Sequence, residues 1–96
     1  MTELKLVSHH PASMKPIVEN ALTGALHSIE EGIQRTNQQL HIFESRYRLT
    51  TEEFIQRYGN DEFQETSDFD EWIGEYQMLQ GLHEDAERLR GIQIAD

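Results

Sequence analysis

Nine residues between positions 18 and 47 recur at steps of three and four: Val18, Leu22, Ala25, Ile29, Ile33, Thr36, Leu40, Phe43 and Tyr47. That spacing places them on one face of a single α-helix, as the seam of a coiled coil with one stutter at Ile29–Ile33. Ser13 has the chemistry of an N-cap, and Pro16 suits a first turn, where its missing N–H has no partner to lose. A helix from there to Arg48 is about 50 Å long. A chain of 96 residues has little else with which to cover such a face. The spacing therefore predicts that these nine residues form the interface of an antiparallel dimer or tetramer. The seam is weakest in its middle, where Gly32 lowers helix propensity and Thr36 puts a hydroxyl on the apolar line. Such a stretch is a candidate bend, or a polar position that fixes register.

Two shorter helices follow. Thr50 and Glu53 have the spacing of a capping box, Leu49 and Phe54 that of a hydrophobic staple, and Gly59 reads as the stop. Phe54, Ile55 and Tyr58 make the apolar face of this helix. The next opens near Ser67 or Asp68, with Asp68 and Glu71 again at capping-box spacing. It carries Phe69, Trp72, Ile73, Tyr76, Leu79, Leu82, Ala86 and Leu89 on one stripe and ends at Gly91. Glu3-Leu4-Lys5-Leu6 alternates like a short strand, and Ile92-Gln93-Ile94 is an apolar tail able to dock or pair as one. The fold class is all-α: a long N-terminal helix, a short middle helix and a medium C-terminal helix in a helical-bundle oligomer. Residues 1–12 are expected to form a flexible arm and residues 13–96 a single helical domain.

Charge is unevenly distributed. The chain has 18 acids against 8 Lys and Arg, a net charge of −10, and all of that excess falls on residues 49–96. Between residues 61 and 75 stand seven acids and no base: Asp61, Glu62, Glu65, Asp68, Asp70, Glu71 and Glu75. The ordinary role of such a run is solvation. Interleaved with Phe63, Phe69, Trp72 and Tyr76, it is also a candidate docking surface for a basic protein. Helical spacing assigns Trp72 and Tyr76 to the core, so Phe63, in the loop, is the aromatic left for an interface. The expected partner-binding residues are Asp61, Glu62, Phe63, Glu65, Asp68, Asp70, Glu71 and Glu75. The same charge argues against direct binding of nucleic acid, which needs clustered Lys and Arg.

Several chemistries find no support. With no cysteine, disulfides, zinc–thiolate sites and thiol nucleophiles are excluded. The longest run without an acid, Lys or Arg is residues 20–29, far short of a membrane span. With no leader visible, the expected location is the cytoplasm. The five histidines do not fall into a metal-binding pattern. His9-His10 lies in the arm, His41 and Glu44 share a helix face singly, and His27 and His83 sit beside acids as surface histidines do. Asp68-Phe69-Asp70 begins like a calcium loop but continues with Trp72 and Ile73 where a ligand and a glycine belong. No glycine-rich phosphate loop or activated nucleophile stands out, so no enzyme activity and no cofactor are expected.

Two stretches carry a resemblance: residues 25–47 followed by Leu49-Thr50-Thr51-Glu52-Glu53-Phe54-Ile55-Gln56-Arg57-Tyr58, and Glu65-Thr66-Ser67-Asp68-Phe69-Asp70-Glu71-Trp72-Ile73-Gly74-Glu75-Tyr76. Over roughly residues 17–94 the chain resembles small acidic proteins of archaea and cyanobacteria encoded beside toxins of the TumE family and regarded as antitoxins. The resemblance implies a helical fold, no enzyme activity and a toxin as partner.

Three functions follow as alternatives. The chain is a protein-interaction module that neutralises a basic partner, its carboxylates standing in for phosphates. Or it is a DNA-binding autoregulator, which would have to use Leu4–Val7 as a reading strand with Lys5 as its one base. Or it is a purely structural self-assembling protein.

Overall fold

The computed structural model describes the backbone of residues 2–5 and 11–95 and the side chains of residues 14–92. The order of elements is β1 (Thr2–Lys5), α1 (Pro11–Tyr47), α2 (Thr51–Gly59), α3 (Ser67–Arg90) and β2 (Ile92–Ala95). Three helices, one long, one short and one of medium length, make up most of the chain, as the apolar periodicity requires. α1 and α3 pack along one another and α2 closes one end. At the other end β1 and β2 pair in parallel, Thr2 opposite Ile92 and Lys5 opposite Ala95. The molecule is a rod of 59 × 22 × 18 Å.

α1 begins at Pro11, so Ser13 lies within the helix and is not its N-cap. Pro16 is correspondingly deeper than the first turn and removes one i→i−4 hydrogen bond near the helix end. The last residue is Tyr47. Arg48 then adopts a left-handed conformation with φ of 53°. The Leu49 N–H reaches back to the Glu44 carbonyl at 3.3 Å, which is the long hydrogen bond of a Schellman motif. The Glu44 side chain turns to Thr51 rather than to Arg48, its i+4 neighbour.

Thr50 is the N-cap of α2 as expected and accepts from the Glu53 N–H at 3.1 Å, which is one half of the capping box. Gly59 is the last helical residue and has no positive φ. The left-handed residue beyond the helix is Asp61, with φ of 58°. For α3 the N-cap is Thr66, which accepts from the Phe69 N–H at 3.1 Å. Asp68 is therefore inside the first turn, not capping it. α3 ends at Gly91, whose N–H bonds the Glu87 carbonyl at 3.0 Å.

The core lies at the α2 end and is aromatic. Phe54 and Trp72 have no exposed surface, and Leu40 and Phe43 are nearly as buried. Trp72 stacks on Phe54 with centroids 3.9 Å apart and on Phe43 at 5.6 Å. Tyr47, Leu49, Tyr58, Phe63 and Phe69 pack around this group. The indole N–H of Trp72 donates to Thr51 Oγ1 at 3.1 Å. That hydroxyl donates in turn to Glu44 Oε2 at 2.9 Å, and the same carboxylate oxygen accepts from the Thr51 N–H at 2.8 Å. Among the described residues no buried side-chain polar atom lacks a partner, as the cost of burying an unpaired donor demands.

The seam on α1 is covered largely by the chain's own α3. Thr36, Leu40 and Phe43 are buried within the single chain, and Tyr47, Ile33 and Ile29 are half-buried. Residues consumed in an intrachain core cannot also meet a second copy, so for Thr36, Leu40 and Phe43 the expected oligomer interface is corrected to an intramolecular one. The weak middle of the seam has a packing explanation. A Cβ on Gly32 would lie 3.3 Å from Leu82 Cδ1, so the glycine lets α3 approach closely. Thr36 Oγ1 donates to the Met78 thioether at 3.8 Å. Toward the N-terminus the seam opens: Val18 and Leu22 are half-buried and Ala25 is exposed.

Two stability measurements test this packing. Thr51→Val keeps the shape but removes the acceptor for the Trp72 N–H. It is expected to cost about 1–3 kcal/mol in urea unfolding followed by Trp72 fluorescence. Arg48→Gly relieves a left-handed non-glycine residue and is expected to stabilise by about 0.5–1 kcal/mol in the same assay, with the midpoint moved upward.

Candidate protein-interaction surface

The acidic segment is displayed on the outside of the aromatic core. Its position follows from two turns. Asp61 N–H bonds the Tyr58 carbonyl at 3.0 Å and Glu62 N–H bonds the Arg57 carbonyl at 3.1 Å, so the chain doubles back over the end of α2. The Thr66 cap then starts α3 with its first-turn acids, favoured by the helix dipole, facing the same region.

Within that run the acids divide by what they touch. Glu62 Oε1 pairs with Arg57 Nε at 3.1 Å. Asp68 Oδ2 accepts from Arg46 Nη1 at 2.8 Å and from the Tyr47 hydroxyl at 2.5 Å. These two carboxylates hold the nearest bases. Asp61, Glu65, Asp70 and Glu71 are exposed, Glu75 is half-exposed, and among the described residues none of these five enters a salt bridge. The charges of three of them act on Tyr58. Burial first, then the charges of Glu65, Asp70 and Asp61, push its phenol above the ordinary value. The sequence brings these three carboxylates and Tyr58 from α2, the loop and α3 to one place.

Phe63 lies in the loop between α2 and α3. It is half-buried against Phe54 at 5.9 Å and Phe69 at 5.4 Å, and the Arg57 guanidinium lies over its ring at 4.7 Å. It closes the core and holds Arg57, which in turn orients Glu62. Trp72 and Tyr76 do pack inward as their spacing requires, Trp72 completely and Tyr76 partly. Sequence reasoning missed the influence of these carboxylates on Tyr58, and Arg46 and Tyr47 as the partners of Asp68. Arg46 and Tyr47 lie 22 and 21 residues from Asp68 along the chain, so no local pattern could signal the contact.

His27, His41 and His83 are surface groups. His27 Nε2 lies 2.8 Å from Glu31 Oε1, and His41 Nδ1 lies 3.7 Å from Glu44 Oε1, both rings exposed. Among the described residues no three His, Asp or Glu converge as a metal site. His9 and His10 lie outside the described residues, as do Leu6 and Val7 of the expected reading strand; the strand that is present is Thr2–Lys5. Among the described residues no helix is long and apolar enough to cross a membrane. Chemically, the surface can accept hydrogen bonds from Lys and Arg at several independent carboxylates. No family model, curated protein or solved structure matches the chain.

The Asp68 cluster makes a pH prediction. The Tyr47 hydrogen bond, followed by the Arg46 interaction, holds the Asp68 carboxyl below its usual value, and Tyr47 is raised because it must keep its proton to donate. A carboxylate with a depressed folded-state pKa contributes stability above its unfolded pKa and loses it as pH falls through the folded one. Asp68→Asn is therefore expected to lower stability at neutral pH and to flatten the acid limb between about pH 5 and 2. Parallel acid limbs for the two proteins in chemical denaturation would contradict this.

Proposed function

We propose that the chain is a non-enzymatic protein-interaction module that neutralises a basic partner through its acidic C-terminal half, as an antitoxin of the kind paired with TumE-family toxins. The observation that carries this reading is the set of exposed carboxylates Asp61, Glu65, Asp70 and Glu71 left without a salt bridge around a rigid core. Two acids of the run do form pairs, Glu62 with Arg57 and Asp68 with Arg46. What remains faces outward with one sign. Complementary charge of this sort speeds encounter and selects partners. A protein that handles RNA or DNA offers the matching surface, because its own cleft must be lined with Lys and Arg. Carboxylates seated in that cleft would exclude the nucleic acid.

Glu62 and Asp68 are engaged within the chain, so Asp61, Glu65 and Asp70 are the informative positions. The wild-type protein, tagged and used as bait in native lysate, is expected to retain a small basic protein that elutes as salt is raised. The triple replacement Asp61→Lys, Glu65→Lys and Asp70→Lys is expected to weaken that complex by roughly tenfold or more, with helicity by circular dichroism unchanged. Equal affinity in the folded variant, or recovery of no basic protein, would overturn the reading.

A further inference from the structure

The end of the rod opposite the acidic face belongs to the part of the sequence with almost no net charge. Residues 1–29 contain Glu3, Lys5, Lys15 and Glu19 and so sum to zero, and residues 91–96 add Asp96 alone, whereas the whole chain carries −10. α3 stops short of this end: Arg90 pairs with Glu30 at 3.1 Å, and the part of α1 before that contact continues beyond. There Ile17 is 61% exposed. Leu22 and Leu26 of α1 border an open groove with Leu89 and Ile92. Beside it lies the parallel pair of β1 and β2, a sheet of two strands of four residues each.

Such a sheet is incomplete on physical grounds. Two strands alone are marginal, and parallel pairing normally occurs in larger, covered sheets. Among the described residues no third strand pairs with either, so the outer edge of each presents backbone groups with no described strand beside them. The two edges are not equivalent. β1, Thr-Glu-Leu-Lys, carries charges of the kind that discourage edge pairing. β2, Ile-Gln-Ile-Ala, carries neither a charge nor a proline.

We propose that this end is the chain's self-association surface, with β2 of one protomer pairing antiparallel to β2 of its partner across a twofold axis. The product is a continuous four-stranded sheet in the order β1–β2–β2–β1, with the charged strands outermost. A second copy fits better than any other occupant for two reasons. An edge pairing with itself is self-complementary under twofold symmetry. And two copies of a chain of charge −10 repel least when their neutral ends meet and their acidic ends point apart. The arrangement leaves both acidic faces free, so it stands independently of the neutralisation reading.

The absence of cysteine from the chain makes the test clean. Light scattering on the eluting full-length protein should give twice the 11.2 kDa chain mass. Ile94→Lys should lose the dimer peak while keeping its helical signal. Gln93→Cys should form a disulfide-linked dimer on mild oxidation, while Asn60→Cys, at the acidic end, should not. The cross-linking decides the matter even if Ile94→Lys fails to fold. A monomeric wild type, or a dimer that cross-links no better through residue 93 than through residue 60, would overturn the proposal.

Discussion

The stack of Trp72 on Phe54, with its indole N–H held by Thr51, is the interaction on which the rest of the molecule depends. It is the place where all three helices meet. Trp72 belongs to α3, Phe54 and Thr51 to α2, and Phe43 and Glu44, which complete the stack and the hydrogen-bond relay, to α1. A helix as short as α2 has no independent stability in water. Full burial of a large apolar side chain is worth about 1.5–3 kcal/mol, and here Phe54 and Trp72 bury each other. The relay through Thr51 to Glu44 removes the penalty that an unpaired indole donor would impose at that depth.

The acidic surface inherits its rigidity from this core. Phe63 anchors the loop by packing on Phe54 and Phe69, and Arg57 lies on its outer side, fixing Glu62. Asp68 is tied back to the end of α1 by Arg46 and Tyr47. The segment rich in carboxylates is thus held at both ends by contacts to aromatic residues, and the carboxylates between remain outward. Mutual repulsion among like charges would ordinarily favour an expanded loop. These two anchors oppose it, and they explain why two of the seven acids serve structure while the others remain available to a partner.

The legible and illegible parts of the sequence differ in range. The helices, the Thr50 cap and the apolar stripe of α3 rest on patterns three to seven residues apart, and those patterns were sufficient. The seam on α1 was legible as an apolar face, but spacing cannot say whose surface covers it. α3 covers its C-terminal half because Gly32 admits Leu82 and Thr36 meets Met78, contacts that join residues more than forty positions apart. The left-handed residues were also misplaced by pattern. Glycine is the usual choice, yet Arg48 and Asp61 take those conformations while Gly59 stays helical. Among the candidate site residues, the run of acids was visible at once. Its division into paired and unpaired members depended on Arg46 and Tyr47, which no local rule could connect to Asp68.

The C-terminal half of the apolar face of α1 is satisfied within one chain, around Trp72. Hydrogen exchange of the backbone amides, measured over a wide range of protein concentration, tests this most directly. Residues 36–47 of α1 and the amides flanking Phe54 and Trp72 are expected to form the slowest-exchanging group, with rates that do not change on dilution. If protection of residues 36–47 falls as the protein is diluted, that face is covered by another molecule and the account is wrong.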